Sequence, residues 1–225
     1  PYAEPLNPHI PAAVMEGVNL IGAAMKERFA REGKSGVLSY WGYDAWWNGG
    51  LRSAPAFHNM HGILTETAGH LYATPRDYKD SELPERFGNG MPTKDPGVFY
   101  QRPWVGGKWR LRDAIDYMLT ADFAILAFVA SRGPEFLYKS WEMARANIDE
   151  GAKGGPYAYV VSGPAASELA DRLAAAGIDL QSLSKAGGKM YPAGSIVIPA
   201  GQPFRSYVID LMEPQEFQQD KGRLI

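Results

Sequence analysis

Three observations predict an α/β fold. Beyond residues 151–156, a Gly-Ala-Lys-Gly-Gly-Pro run, short apolar stretches alternate with amphipathic ones, a β-α-β texture. Earlier, long segments place apolar residues at three- and four-residue spacing, the mark of helices. Between them lie brief apolar runs bounded by glycine and proline, the mark of strands.

The elements follow in order. Residues 1–11 hold four prolines and read as an extended arm. From Pro11 to Arg31, Val14, Val18, Ile21, Met25 and Phe29 recur at helical spacing, with Pro11 in the first turn and Gly33 as the stop. Residues 37–40 are expected to form a short strand. Residues 43–56 form an irregular loop anchored by Trp46 and Trp47, and residues 62–67 a buried strand. Residues 72–107 are rich in Pro, Gly and charge, a length of loop that is usually functional or mobile. Residues 109–131 read as an apolar helix whose core face is Ile115, Met118, Leu119, Phe123, Leu126 and Val129. Gly133-Pro134 interrupts it, and a second helix covers residues 135–150. After the 151–156 linker come a strand (157–161), a helix (165–176), a strand (178–183), a strand (195–198) and a helix (203–212). The chain thus divides into residues 1–150 and an α/β unit over 151–225, too small to be more than marginal alone. No internal repeat is visible.

Composition narrows the functional classes. A hydrophobic fraction of 45% with 21% charged residues is that of a soluble globular protein. A net charge of −2 gives no electrostatic footprint for nucleic acid or an anionic membrane. No apolar run reaches the length of a membrane span, so none is expected. With no cysteine in the chain, disulfides, thiolate metal sites and a cysteine nucleophile are excluded. The sequence opens at Pro1 with no Met, no charged n-region and no apolar h-region, so the expectation is either a removed leader or a piece of something longer.

The candidate chemistry centres on residues 57–68, where Glu66 ends an apolar run preceded by His58 and His61. His70 follows. No HExxH or HxxE pair occurs, and on an extended backbone His58 and His61 point to opposite faces. They read as hydrogen-bonded structural histidines. There is no G-x-S-x-G, and the Gly-Gly pairs at 49–50 and 106–107 fit no phosphate loop. On residue type alone, a structural ion pair at Glu66 outranks acid–base work.

A resemblance shifts that balance. Asp44-Ala-Trp-Trp-Asn48-Gly-Gly50, followed by an apolar run ending in Thr65-Glu66, resembles the zinc carboxypeptidases of the carboxypeptidase A type. Residues 46–68, WWNGGLRSAPAFHNMHGILTETA, and 190–215, MYPAGSIVIPAGQPFRSYVIDLMEPQ, are similar to segments of large bacterial members. The likeness implies the C-terminal part of a mixed-sheet carboxypeptidase-like α/β core over 1–150, with an accessory α/β unit over 151–225. It implies peptide hydrolysis by zinc-activated water with Glu66 as general base. The family's zinc ligands precede the segment that Glu66 matches, so the implied zinc has no ligand in this chain, which alone is expected to be inactive. The arginine and asparagine that hold the substrate's terminal carboxylate also fall upstream. The family's capping tyrosine falls near Gly36, where this sequence has none. Tyr40, Tyr43, Asn48 and Arg52 are the candidate substrate-binding residues. The implied partners are a peptide substrate and the missing half of the core or a companion chain. Lacking them, the chain is expected to expose an open sheet edge or an apolar face and to pair with a companion or self-associate. The large relatives imply a secreted or periplasmic parent.

Two rival readings stand beside this one. A non-catalytic module on the same scaffold would line a peptide or glycan groove with Trp41, Trp46, Trp47 and Arg52, and would bury Glu66 against Arg52 or Arg102. An unrelated hydrolase would bring His58, His61 and Glu66 within about 2 to 2.2 Å of one metal.

Overall fold

The structure is a computed structural model that describes residues 3–41, 43–69, 73–188 and 190–215. Helices dominate it, and the strands are short. In chain order the elements are β1 (Ala3–Leu6), α1 (Ala12–Arg31), β2 (Asp44–Ala45), α2 (Ala54–Phe57), β3 (Arg76–Tyr78) and β4 (Gly107–Trp109). Then follow α3 (Leu111–Ser131), α4 (Gly133–Lys153), β5 (Ala158–Val161), α5 (Ala166–Ala175), β6 (Gln181–Ser182), β7 (Ile196–Pro199) and α6 (Arg205–Met212). The general α/β class stands, and among the described residues the strands form three small sheets. β1 pairs parallel with β2, β3 pairs antiparallel with β4, and β5-β7-β6 form an antiparallel three-stranded sheet.

Helix α1 starts where Pro11 fixes φ near −58° and stops at Glu32, with Gly33 beyond it in the left-handed region at +71°. It buries Val14, Val18, Ile21 and Phe29 of the predicted stripe, together with Gly17, while Met25, also predicted, is half-buried and lines a cleft. Val14 and Val18 form a first core with Ile10, Ala45, Ala56, Phe57 and Met143. A second core joins Leu173, Ile178, Ile198 and Val208. Tyr207 packs on both. Residues 1–150 and 151–215 are therefore packed against each other, and Gly151 is a buried helical residue rather than a linker. A Cβ there would overlap the backbone at Gly201.

Several expectations are corrected. The N-terminal arm is a strand, tied to the body where the Asn7 N–H donates to the Ala45 carbonyl at 3.1 Å. Residues 37–40 and 62–67 are not strands, because no described strand lies beside either. Instead the 97–102 region serves the first of them: Gly36 donates to the Arg102 carbonyl and Ser39 to that of Phe99. The 72–107 region is partly ordered by the β3–β4 ladder, which joins its ends.

Helix α3 covers the predicted residues but turns the other way. Its buried residues are Ala114, Thr120, Ala121 and Ala124, which let it lie close to α1. Ile115, Met118, Leu119, Phe123 and Leu126, the expected core face, are exposed. Among the described residues α3 is also the one helix long and apolar enough to cross a membrane by length and composition.

Candidate functional site

A cleft of about 660 Å³ opens between α1, residues 35–43, residues 63–68 and α3. Among the described residues ten aromatic side chains line it, from α1, residues 40–43, β3, β4, α3 and, for Phe87, Tyr100 and Trp104, the loop after β3. Rings touch in sequence, mostly edge to face. Tyr78 meets Trp104 at 5.5 Å between centroids, Trp104 meets Trp109 at 6.0 Å, Trp109 meets Tyr117 at 5.2 Å, and Tyr117 meets Phe29 at 5.6 Å. A second run joins Trp41 to Phe87 at 5.5 Å and Phe87 to Tyr100 at 5.2 Å. Such pairs add stabilisation beyond the area they bury and hold the lining in place.

Only two lining side chains carry charge, Lys26 and Glu66. Lys26 Nζ donates to the Val98 carbonyl at 3.3 Å. Glu66 is exposed on an irregular segment, and no hydrogen bond or ion pair to it occurs among the described residues. The segment is anchored at both ends. Trp109 Nε1 donates to the Ala68 carbonyl at 2.7 Å, and Gly62 packs so closely that a Cβ would overlap the Arg52 carbonyl oxygen.

Of the predicted site residues, Tyr40, Tyr43 and Glu66 meet in this cleft. Tyr40 takes φ of +63°, a left-handed conformation rare for a residue with a side chain, and its ring stacks on Phe99 at 5.0 Å. Strain of this kind persists only where surrounding contacts impose it, and it is found most often at functional positions. Asn48 and Arg52 lie outside the cleft. Asn48 is buried and donates to Asp210 Oδ2 at 2.6 Å, a contact between the two parts of the chain. Arg52 reaches Asp44 at 3.9 Å and caps the Tyr43 ring at 5.3 Å. Of the tryptophans expected in a groove, Trp41 lines the cleft, whereas Trp46 is buried and Trp47 projects to solvent.

His58 and His61 are held by backbone carbonyls and aromatic rings. His58 Nδ1 faces the Ala54 carbonyl at 2.8 Å and Nε2 that of Ala176 at 3.1 Å, between the rings of Phe204 and Tyr207. His61 Nδ1 faces the Val14 carbonyl at 3.0 Å and packs edge-on to Phe136 at 5.2 Å, filling the space that Gly17 leaves. His70 lies outside the described residues. Among the described residues no three His, Asp or Glu side chains converge as a metal site would need. The donors present do not fit zinc.

The lower end of the cleft is braced by a polar clamp between the end of α1 and α3. Thr120 Oγ1 donates to Glu32 at 2.6 Å, Arg28 Nε donates to it at 2.8 Å, and Lys34 Nζ reaches both Glu32 and Thr120. Those hydrogen bonds, from Thr120 first and then Arg28 and Lys34, hold the Glu32 carboxyl near 2 instead of its ordinary 4.5. Lys34 also sits over the Tyr117 ring at 5.3 Å, and Tyr117 donates to the Ser35 carbonyl at 2.9 Å. Burial pushes the Tyr117 hydroxyl's pKa up.

Sequence reasoning missed Tyr78, Trp104, Trp109 and Tyr117 as lining residues. Their signal was aromatic density across the long loop and the start of α3, which has no fixed spacing to read. Compared with known proteins, the chain matches no family model, no curated protein and no solved structure.

Proposed function

We propose that this chain supplies the Glu66-bearing side of a peptide-hydrolysing cleft of the zinc carboxypeptidase type. Residues 1–150 would be the C-terminal part of that α/β core and residues 151–225 its accessory unit. One observation carries the reading: Glu66, with no bonding partner among the described residues, stands on the lining of a large aromatic cleft. An ion pair would lower the carboxylate's basicity and hold it away from substrate, whereas a carboxylate facing a cleft is placed to exchange a proton with a bound molecule. The motif around Asp44–Gly50 and Thr65-Glu66 supplies the chemical class.

In this mechanism Glu66 accepts a proton from water as the water oxygen bonds to the scissile carbonyl carbon. It then returns that proton to the amide nitrogen as the C–N bond breaks, leaving an amine and a carboxylic acid, and the acid's proton passes to the amine to give an ammonium and a carboxylate. The aromatic lining takes an apolar or aromatic substrate side chain and excludes water from around it. The described residues do not fit zinc, so no step is routed through a metal, and the 225-residue chain alone is expected to hydrolyse nothing.

Binding is tested by titrating the chain with benzoyl-glycyl-phenylalanine while following tryptophan fluorescence, since Trp41, Trp104 and Trp109 all line the cleft. A saturable change is expected, weakened about tenfold or more by Trp41→Ala as the cleft loses a stacking surface. No saturable change, or an unaltered affinity in the variant, would remove the cleft as the substrate site. The same lining would serve a non-catalytic peptide-binding module, and turnover separates the two.

A further inference from the structure

Helix α3 is apolar on both sides and covered on one. Ala114, Ala121 and Ala124 are buried on the α1 side, whereas Met118 and Leu119 are each 43% exposed, Phe123 52% and Leu126 63%. At the angular step of an α-helix, Ile115, Leu119, Asp122 and Leu126 share one arc facing away from Ala121 and Ala124, whereas Met118 turns toward the aromatic cleft that it lines. Helices that are apolar all round are ordinarily buried all round. Within the bare arc stands Asp122, one turn after Leu119 and one before Leu126. It is exposed, and no hydrogen bond or ion pair to it occurs among the described residues.

We propose that this face docks an apolar segment of a different polypeptide stretch, carrying one lysine or arginine that pairs with Asp122. The carboxylate decides among the occupants. A bilayer would take the leucines but would have to accept an aspartate within the lipid-facing surface. A second copy packed antiparallel across the middle of α3 would set Asp122 against Asp122, because that residue is one position from the centre of the 21-residue helix. An apolar protein surface with a single cation satisfies both features, and burying the pair between Leu119 and Leu126 strengthens it, while the Phe123 ring at the edge of the face is already covered by the Arg28 guanidinium, 5.6 Å from its centroid. The inference does not depend on the chemistry assigned to Glu66.

The probes are two synthetic helical peptides of about 20 residues, long enough to span α3, leucine-rich on one face. They differ only in a central lysine or glutamate on that face. Calorimetry against the 225-residue chain at low salt should show the lysine peptide binding about tenfold or more tightly than its twin. Asp122→Asn should erase the difference, and Leu126→Glu should abolish binding of both. Each change lies on the exposed face, and circular dichroism checks that the fold is kept. Equal affinities, no binding, or binding that survives Leu126→Glu would overturn the proposal. So would a dimer seen in sedimentation that Leu126→Glu dissolves, or uptake onto phosphatidylcholine–phosphatidylglycerol vesicles.

Discussion

The buried carboxylate of Asp210 accepts hydrogen bonds from the side-chain amides of Asn7 and Asn48, both at 2.6 Å, and from Gln215 at 3.1 Å, with His9 Nδ1 also at 3.1 Å. Three regions of the chain thus converge on one charge that is 1% exposed. Replacing Asn48 by alanine takes away a charge-assisted donor and should cost about 1–3 kcal/mol, read from urea unfolding. Glu32 gives a pH signature. Its folded pKa near 2 lies below the ordinary 4.5, so the stability it contributes is complete above that ordinary value and is lost as pH falls toward 2. Glu32→Gln should flatten acid unfolding across that window, and carbon-13 NMR of the Glu32 carboxyl should follow the midpoint directly. At this scale the structure brings Glu66, Tyr40 and Tyr43, which the sequence singled out, to one cleft and sets Asn48 outside it, against Asp210. The Asp44–Gly50 motif shows that an amide stands there, and nothing in it announces a carboxylate at position 210.

Among the elements, helices were legible because their period repeats over many residues. α1, α3 and α4 all fall within a few residues of their expected bounds. What spacing does not report is which apolar face is covered, and in α3 the small alanines face α1 while the larger side chains stay bare. Strand readings fared worse, because an apolar run becomes a strand only if another strand pairs with it. Ile63 and Leu64 sit in an irregular segment with no partner strand among the described residues, held instead by the close packing of Gly62 and by the Trp109 indole. Gly62→Ala therefore tests how rigidly that segment is held. The added methyl meets backbone rather than a yielding side chain, so a loss of about 1–3 kcal/mol in thermal or urea unfolding is expected. A neutral outcome would mean that the segment bearing Glu66 shifts freely.

Taken whole, the molecule joins a helical part and a small sheeted part through Tyr207 and the Asp210 hydrogen bonds, leaving an aromatic cleft and the bare face of α3 open. The α/β class was visible in the sequence. The antiparallel order β5-β7-β6 was not, because strand direction depends on pairings between distant residues. The central claim is that Glu66 transfers the proton in peptide hydrolysis, and steady-state kinetics tests it most directly. The longest natural polypeptide that carries these residues would be assayed on benzoyl-glycyl-phenylalanine, wild type against Glu66→Gln. The account predicts kcat lower by about 10²–10⁴-fold with KM nearly unchanged, the loss expected for a general acid–base group. A variant within a few-fold of wild type, or a wild-type polypeptide with no peptide hydrolysis at all, would contradict it.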